Sequence, residues 1–192
     1  MKGNKLMLCI KEAIVSMTLL VITTSVTAKT SQAFIDGKQI FRTAGGYGCS
    51  TCHGMFAQGG GNVGGNIRGK TLEDINLRLD NEPTMKLLSN ALTTDDRRVL
   101  AYYLETLGQL PLVEWTIDDK ATDVEISINQ GVPSQLVIFN KRLEPISLSI
   151  APISGATDIT INPYETQAYE WFPAPGVIEL SHKQSKIKIH VQ

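Results

Sequence analysis

Cys49-Ser50-Thr51-Cys52-His53 is the stretch on which the reading of this chain turns. Two thiols three positions apart, with an imidazole directly after the second, form the pattern by which a c-type haem is attached covalently. Residues three and four apart are neighbours on a helical turn, so both sulfurs and the ring can face one side. The thiols then bond the vinyl groups of the porphyrin, and His53 ligates its iron. Two other chemistries draw on the same residue types. A redox-active dithiol sits at the strand-to-helix junction of a βαβ unit, whereas this motif follows Thr43-Ala44-Gly45-Gly46-Tyr47-Gly48, a loop composition. Zinc usually takes four Cys or His ligands, and the only histidines downstream are the distant His182 and His190.

The amino-terminal stretch, residues 1–28, reads as an export signal. Lys2, Lys5 and Lys11 form a positive leader, Ala13 to Val26 is apolar with interspersed Ser and Thr, and Val26-Thr27-Ala28 offers small residues for cleavage. The competing reading is an uncleaved anchor, although the run is shorter than the roughly 20 residues of a spanning helix. Cleavage near Ala28 removes Cys9 and leaves both remaining cysteines inside the haem motif. The expected compartment is the bacterial periplasm, with no stable membrane span after cleavage. The whole chain has 18 basic and 19 acidic side chains; without Lys2, Lys5, Lys11 and Glu12 it has 15 and 18. That balance does not suggest nucleic acid, whose binders concentrate Lys and Arg on one face.

The pattern changes near Gly108. From about Ser31 to Gly108, apolar residues recur at helical spacing: Phe34, Ile40 and Phe41, then Leu72, Ile75 and Leu79, then Val99, Leu100, Tyr103, Leu104 and Leu107. Ser31, Thr71 with Asp74, and Thr93 with Asp96 are the expected caps. The glycine-rich stretch Gly59–Asn66 lacks the Gly-Lys-Ser/Thr ending of a phosphate-binding loop and reads as a loop passing close to the haem edge. Residues 109–119 read as a linker. From 120 to 192, seven short runs with polar alternation begin at Val124-Glu125-Ile126-Ser127-Ile128 and end at Lys186–Val191, punctuated by Pro, Gly and Asn. The expected fold is multidomain, α then β, with an all-α domain over 31–108 and an antiparallel Greek-key sandwich over 120–192.

The first half resembles the class I monohaem cytochromes c. The residues that carry this are the haem motif, Gly37-x-x-x-Phe41 in the first helix, Leu100-x-x-Tyr103-Leu104 in the last, and Met85 seven residues before Leu92-Thr93-Thr94-Asp95-Asp96. The resemblance implies crossed terminal helices and Met85 as second axial ligand; where the family usually has Met-Pro, this chain has Met85-Lys86. Elimination also leads to Met85, because downstream of the signal the only other methionine is Met55, too near His53 to reach the opposite porphyrin face. A core-filling role for Met85, a ligand from His182 or His190, and an open sixth site remain alternatives. The second half resembles, more faintly, the cupredoxins, through Gly131–Asn140, Ile161–Thr166 and Pro175–Leu180. A blue-copper site takes two His and a Cys, and this half has no Cys, so no copper is expected there.

These readings lead to one covalent haem c at Cys49 and Cys52, with iron held axially by His53 and Met85. A Met/His pair fills both axial positions and favours electron exchange over ligand chemistry. The expected function is a periplasmic electron carrier rather than an enzyme, working between protein redox partners such as a dehydrogenase and a terminal reductase or oxidase, with the second half used for docking. A fixed haem subunit or sensor module of a larger oxidoreductase complex is the alternative. Trp115 and Trp171 are expected as core or interface anchors, and His182 and His190 as strand-surface residues.

Overall fold

The computed structural model describes residues 30–60, 63–155 and 157–192; the expected export signal and cleavage site, with Cys9, lie outside the described residues. The chain divides into two compact units, one reaching Thr106 and the other spanning Leu107–Gln192.

The first unit is helical. Helix α1 covers residues 30–43, and α2 is the single turn Ser50–His53. Helix α3 is Leu72–Asn81, α4 is Pro83–Lys86 and α5 is Thr94–Gln109. Both expected capping boxes form. The Thr71 hydroxyl accepts the Asp74 N–H at 3.3 Å while the Asp74 carboxylate accepts the Thr71 N–H at 3.1 Å. Thr93 and Asp96 repeat the exchange at 3.1 and 2.9 Å. Each pair satisfies two N–H groups that a helix start leaves unbonded.

Helices α1 and α5 meet where Gly37 has no side chain. A Cβ there would lie 2.6 Å from the Cβ of Tyr103 and against the Val99 carbonyl, so only glycine allows this approach. The Tyr103 ring is fully buried between Phe34 and Phe41, with centroids 5.1 and 5.5 Å away and tilted planes, the geometry aromatic pairs prefer. Leu100, Leu104 and Leu107 complete the buried stripe of α5.

The second unit contains eight strands among its described residues: β1 Leu112–Ile117, β2 Asp123–Ile128, β3 Ser134–Asn140, β4 Ile146–Leu148, β5 Ile159–Ile161, β6 Thr166–Trp171, β7 Gly176–His182 and β8 Ser185–Val191. A helical turn, α6, covers Ala151–Ser154. The sheets are ordered β1-β3-β6, β2-β8-β7 and β4-β5. Side chains from all three join one core that includes Trp115, Ile138, Ile146, Ile161, Trp171, Leu180 and Ile189. Both tryptophans are thus core residues.

Two expectations are corrected. The stretch taken as a linker, residues 109–119, holds β1, whose Val113, Trp115 and Ile117 are buried while Glu114 and Thr116 are exposed; that alternation is a strand's, and it was hidden behind Pro111. The sheets are also not purely antiparallel. β1 runs parallel to β3 and β2 parallel to β8. The chain leaves the first sheet for β2 and returns as β3, and such a crossover can restore strand direction where a hairpin cannot.

Candidate functional site

Most of the chemistry-bearing residues of the first unit lie around a cavity of about 440 Å³, within the range of ligand pockets. Cys49, Cys52, His53 and Met85 are all on its wall. Met55 is not among the lining residues and is 42% exposed. Phe41, Ile75, Leu79, Leu88, Leu92, Leu100 and Leu104 make the rest of the wall mainly apolar, and Lys70, Asp74, Arg78 and Glu82 bring charge along the α3 side.

The motif is one tight helical turn. The Cys52 and His53 N–H groups donate to the Cys49 carbonyl at 3.1 and 2.9 Å. Gly54, at φ 80°, ends the turn in a backbone conformation that favours glycine. The two cysteines are free thiols. Burial pushes the Cys49 thiol up to about 11, so at neutral pH it is protonated. Reactive dithiols need the opposite, a depressed thiol pKa, which weighs against the redox-dithiol reading.

The glycine-rich stretch does more than pass by. The Gly64 N–H donates to the Cys52 carbonyl at 2.8 Å, and the Gly59 N–H to the His53 carbonyl at 2.7 Å. The Gly65 carbonyl lies 2.8 Å from His53 Nδ1. A carbonyl can only accept, so Nδ1 carries the proton and Nε2 keeps its lone pair for a ligand. A Cβ on Gly64 would come 2.6 Å from His53 Nδ1 and 2.5 Å from the Cys52 carbonyl. These backbone roles had no signal in the sequence beyond the glycines themselves.

Met85 lies on α4, a single turn started by Pro83 and not foreseen from the sequence. The turn is tied back by Lys86 N–H to the Glu82 carbonyl at 2.8 Å and Leu88 N–H to the Met85 carbonyl at 2.9 Å. The other two histidines have partners in the second unit. His182 Nδ1 is 3.1 Å from the Ser147 carbonyl, and His190 Nε2 is 2.5 Å from Glu125 Oε1. Among the described residues there is no cluster of three or more His, Cys, Asp or Glu able to hold a metal ion, and no helix is long and apolar enough to cross a membrane.

No family model matches the chain, and no curated protein matches it. Solved structures do. A methionine-to-alanine variant of amicyanin with Cu(I) aligns at 11% identity, over 42% of this chain and 81% of that one, with a TM-score of 0.31. An apo copper-binding protein aligns at 14% identity, over 42% and 86%, with a TM-score of 0.31. The metal-binding domain of the Cu(I)-exporting P-type ATPase CopA of Streptococcus pneumoniae, with Cu(I), aligns at 14% identity, over 44% and 99%, with a TM-score of 0.30. The neighbours named are cupredoxin-like and copper-binding proteins. The cofactor expectation, which excluded copper beside haem c, is corrected: the neighbours named are copper proteins, and the exclusion of copper is withdrawn.

Proposed function

We propose that this chain transfers single electrons between protein partners. In its finer form the reading is a periplasmic monohaem c-type cytochrome, with a second unit shaped as a cupredoxin-like sandwich and used for docking. It is not an enzyme in its own right. The observation that carries the reading is the convergence of Cys49, Cys52, His53 and Met85 on one apolar cavity of about 440 Å³.

The donor set fits a porphyrin. Cys49 and Cys52 would hold it, and the His53 Nε2 lone pair, presented because the Gly65 carbonyl accepts a hydrogen bond from Nδ1–H, would face its iron. Met85 would close the other side. A haem held this way supplies a one-electron couple whose potential is raised by methionine ligation. The chain's own part is to exclude water with Phe41, Leu79, Leu88 and Leu104, to fix the His53 ring by a backbone carbonyl, and to place charge at the α3 side through Lys70 and Arg78. The alternative is a fixed subunit or sensor module of a larger periplasmic complex.

Carbon monoxide added to the reduced protein tests the closed-centre reading. A carrier with both axial positions filled gives an unchanged spectrum. An immediate spectral shift would reveal an open coordination position and move gas sensing or catalysis ahead of electron transfer.

A further inference from the structure

We propose that Arg97 is a positioning residue for the second axial ligand: its guanidinium clasps the two ends of segment 76–89 and so holds the Met85 turn in place. This inference rests on the electron-transfer reading with His53 and Met85 as axial ligands. It adds to that site a residue that neither lines the cavity nor belongs to the Cys-x-x-Cys-His motif.

Two arginines follow the Thr93–Asp96 capping box on α5, and they behave differently. Arg98 is exposed and pairs with Asp95 at 2.6 Å. Arg97 is half-buried, and the two arms of its guanidinium go to different elements. Nη1 donates to Asn76 Oδ1 on α3 at 3.0 Å, and Nη2 donates to the Ser89 carbonyl at 2.8 Å. The root of the side chain is fixed too, since the Arg97 N–H donates to the Thr93 carbonyl at 3.0 Å. A guanidinium is planar and presents its donors as a rigid fork, so it holds its two acceptors at a set separation.

Met85 lies between these anchors in the chain. On its amino-terminal side, α4 is joined to α3 through Glu82, whose N–H donates to the Arg78 carbonyl at 2.9 Å. On its carboxy-terminal side, the Ser89 hydroxyl donates to the Lys86 carbonyl at 2.8 Å. Ser89 is thus bound to the Met85 turn by its hydroxyl and to Arg97 by its carbonyl. A helix of one turn has little stability of its own, and a methionine side chain has three rotatable bonds. Where the sulfur sits therefore depends on what anchors the turn: α3 holds one end, and Arg97 ties the other to α5. Asn76, Ser89 and Arg97 are not among the residues lining the cavity, so Arg97 acts on the ligand through the turn.

Imidazole titration of the oxidised, haem-loaded full chain, followed at the far-red methionine–iron band, tests this. Imidazole competes with the Met85 sulfur, and its apparent affinity scales with the fraction of molecules in which the sulfur is displaced. Arg97→Gln keeps a polar side chain and removes the fork. Losing a hydrogen bond from a charged donor is expected to lower the imidazole midpoint about tenfold, with haem content per chain unchanged because attachment is at Cys49 and Cys52. Asn76→Ala removes one acceptor, leaves the guanidinium, and shifts the midpoint in the same direction by less. A lower melting temperature with an unchanged midpoint in Arg97→Gln would make Arg97 a structural tie only and overturn the proposal. If Arg97→Gln is not recovered folded, an unchanged midpoint in Asn76→Ala overturns it. Wild-type protein without the far-red band removes the axial reading and the proposal together, which separates that failure from a failure of the clasp alone.

Discussion

The two units put similar apolar residues to opposite uses. In the second, Trp115, Ile138, Leu180 and Ile189 meet one another in a single packed core. In the first, Ile75, Leu79, Leu88 and Leu92 are buried yet face a cavity of about 440 Å³. Protein interiors are normally filled to crystal-like density, and the function proposed above supplies the occupant of this apolar space. On that proposal the second unit is completed by its own side chains and the first by a group the chain does not encode.

That contrast can be broken by mutation. The largest effect is expected at the packed core, where Trp115→Ala should destabilise the second unit by about 3–5 kcal/mol, read as a lower urea midpoint. A much smaller loss would mean that this core is looser than its burial indicates. Gly64→Ala should cost about 1–3 kcal/mol as an overpacking change, because its Cβ meets the Cys52 carbonyl and His53; thermal unfolding checks it, and a silent substitution would show that the loop can step away from the motif. Thr71→Ala removes a cap and should cost about 1 kcal/mol, visible as a modest drop in melting temperature.

The smallest effect concerns acid. Asp74 is held below the usual carboxylate range by the Thr71 backbone N–H and then by the Thr71 hydroxyl; Asp96 is held low by the Thr93 hydroxyl and then its N–H. A depressed folded-state pKa contributes stability above the unfolded value, near 3.9, and that contribution is lost as pH falls through the lower folded value. Stability of the first unit should therefore decline below about pH 4, slightly, since both groups are exposed and screened. Asp74→Asn and Asp96→Asn together should flatten this acid limb. A limb identical in the double variant would assign it to other carboxylates.

What the sequence disclosed follows the same division. Capping pairs, helical stripes and the Cys-x-x-Cys-His turn are local patterns, and they appear where expected. Strand existence was legible from alternation, but strand partners were not: which sheet β3 returns to depends on crossovers that leave no local mark, hence the parallel β1–β3 and β2–β8 ladders. β1 itself carried the alternation Val113-Trp115-Ile117 and was masked by its neighbour Pro111 and the apolar Leu112. At the site, side chains with chemistry were readable as residue types. The backbone was not: the Gly65 carbonyl that orients His53, and the bare Cα of Gly64 beside it, become visible only when the loop is seen folded onto the motif.

The most direct test is the optical spectrum of the purified protein, exported from a strain able to attach c-type haem, with covalently bound haem and copper quantified in the same sample. The account predicts one covalently held haem per chain, a sharp low-spin reduced spectrum, and in the oxidised form the weak far-red band of methionine–iron ligation, lost in Met85→Ala. Protein without covalent haem, with or without bound copper, would contradict it.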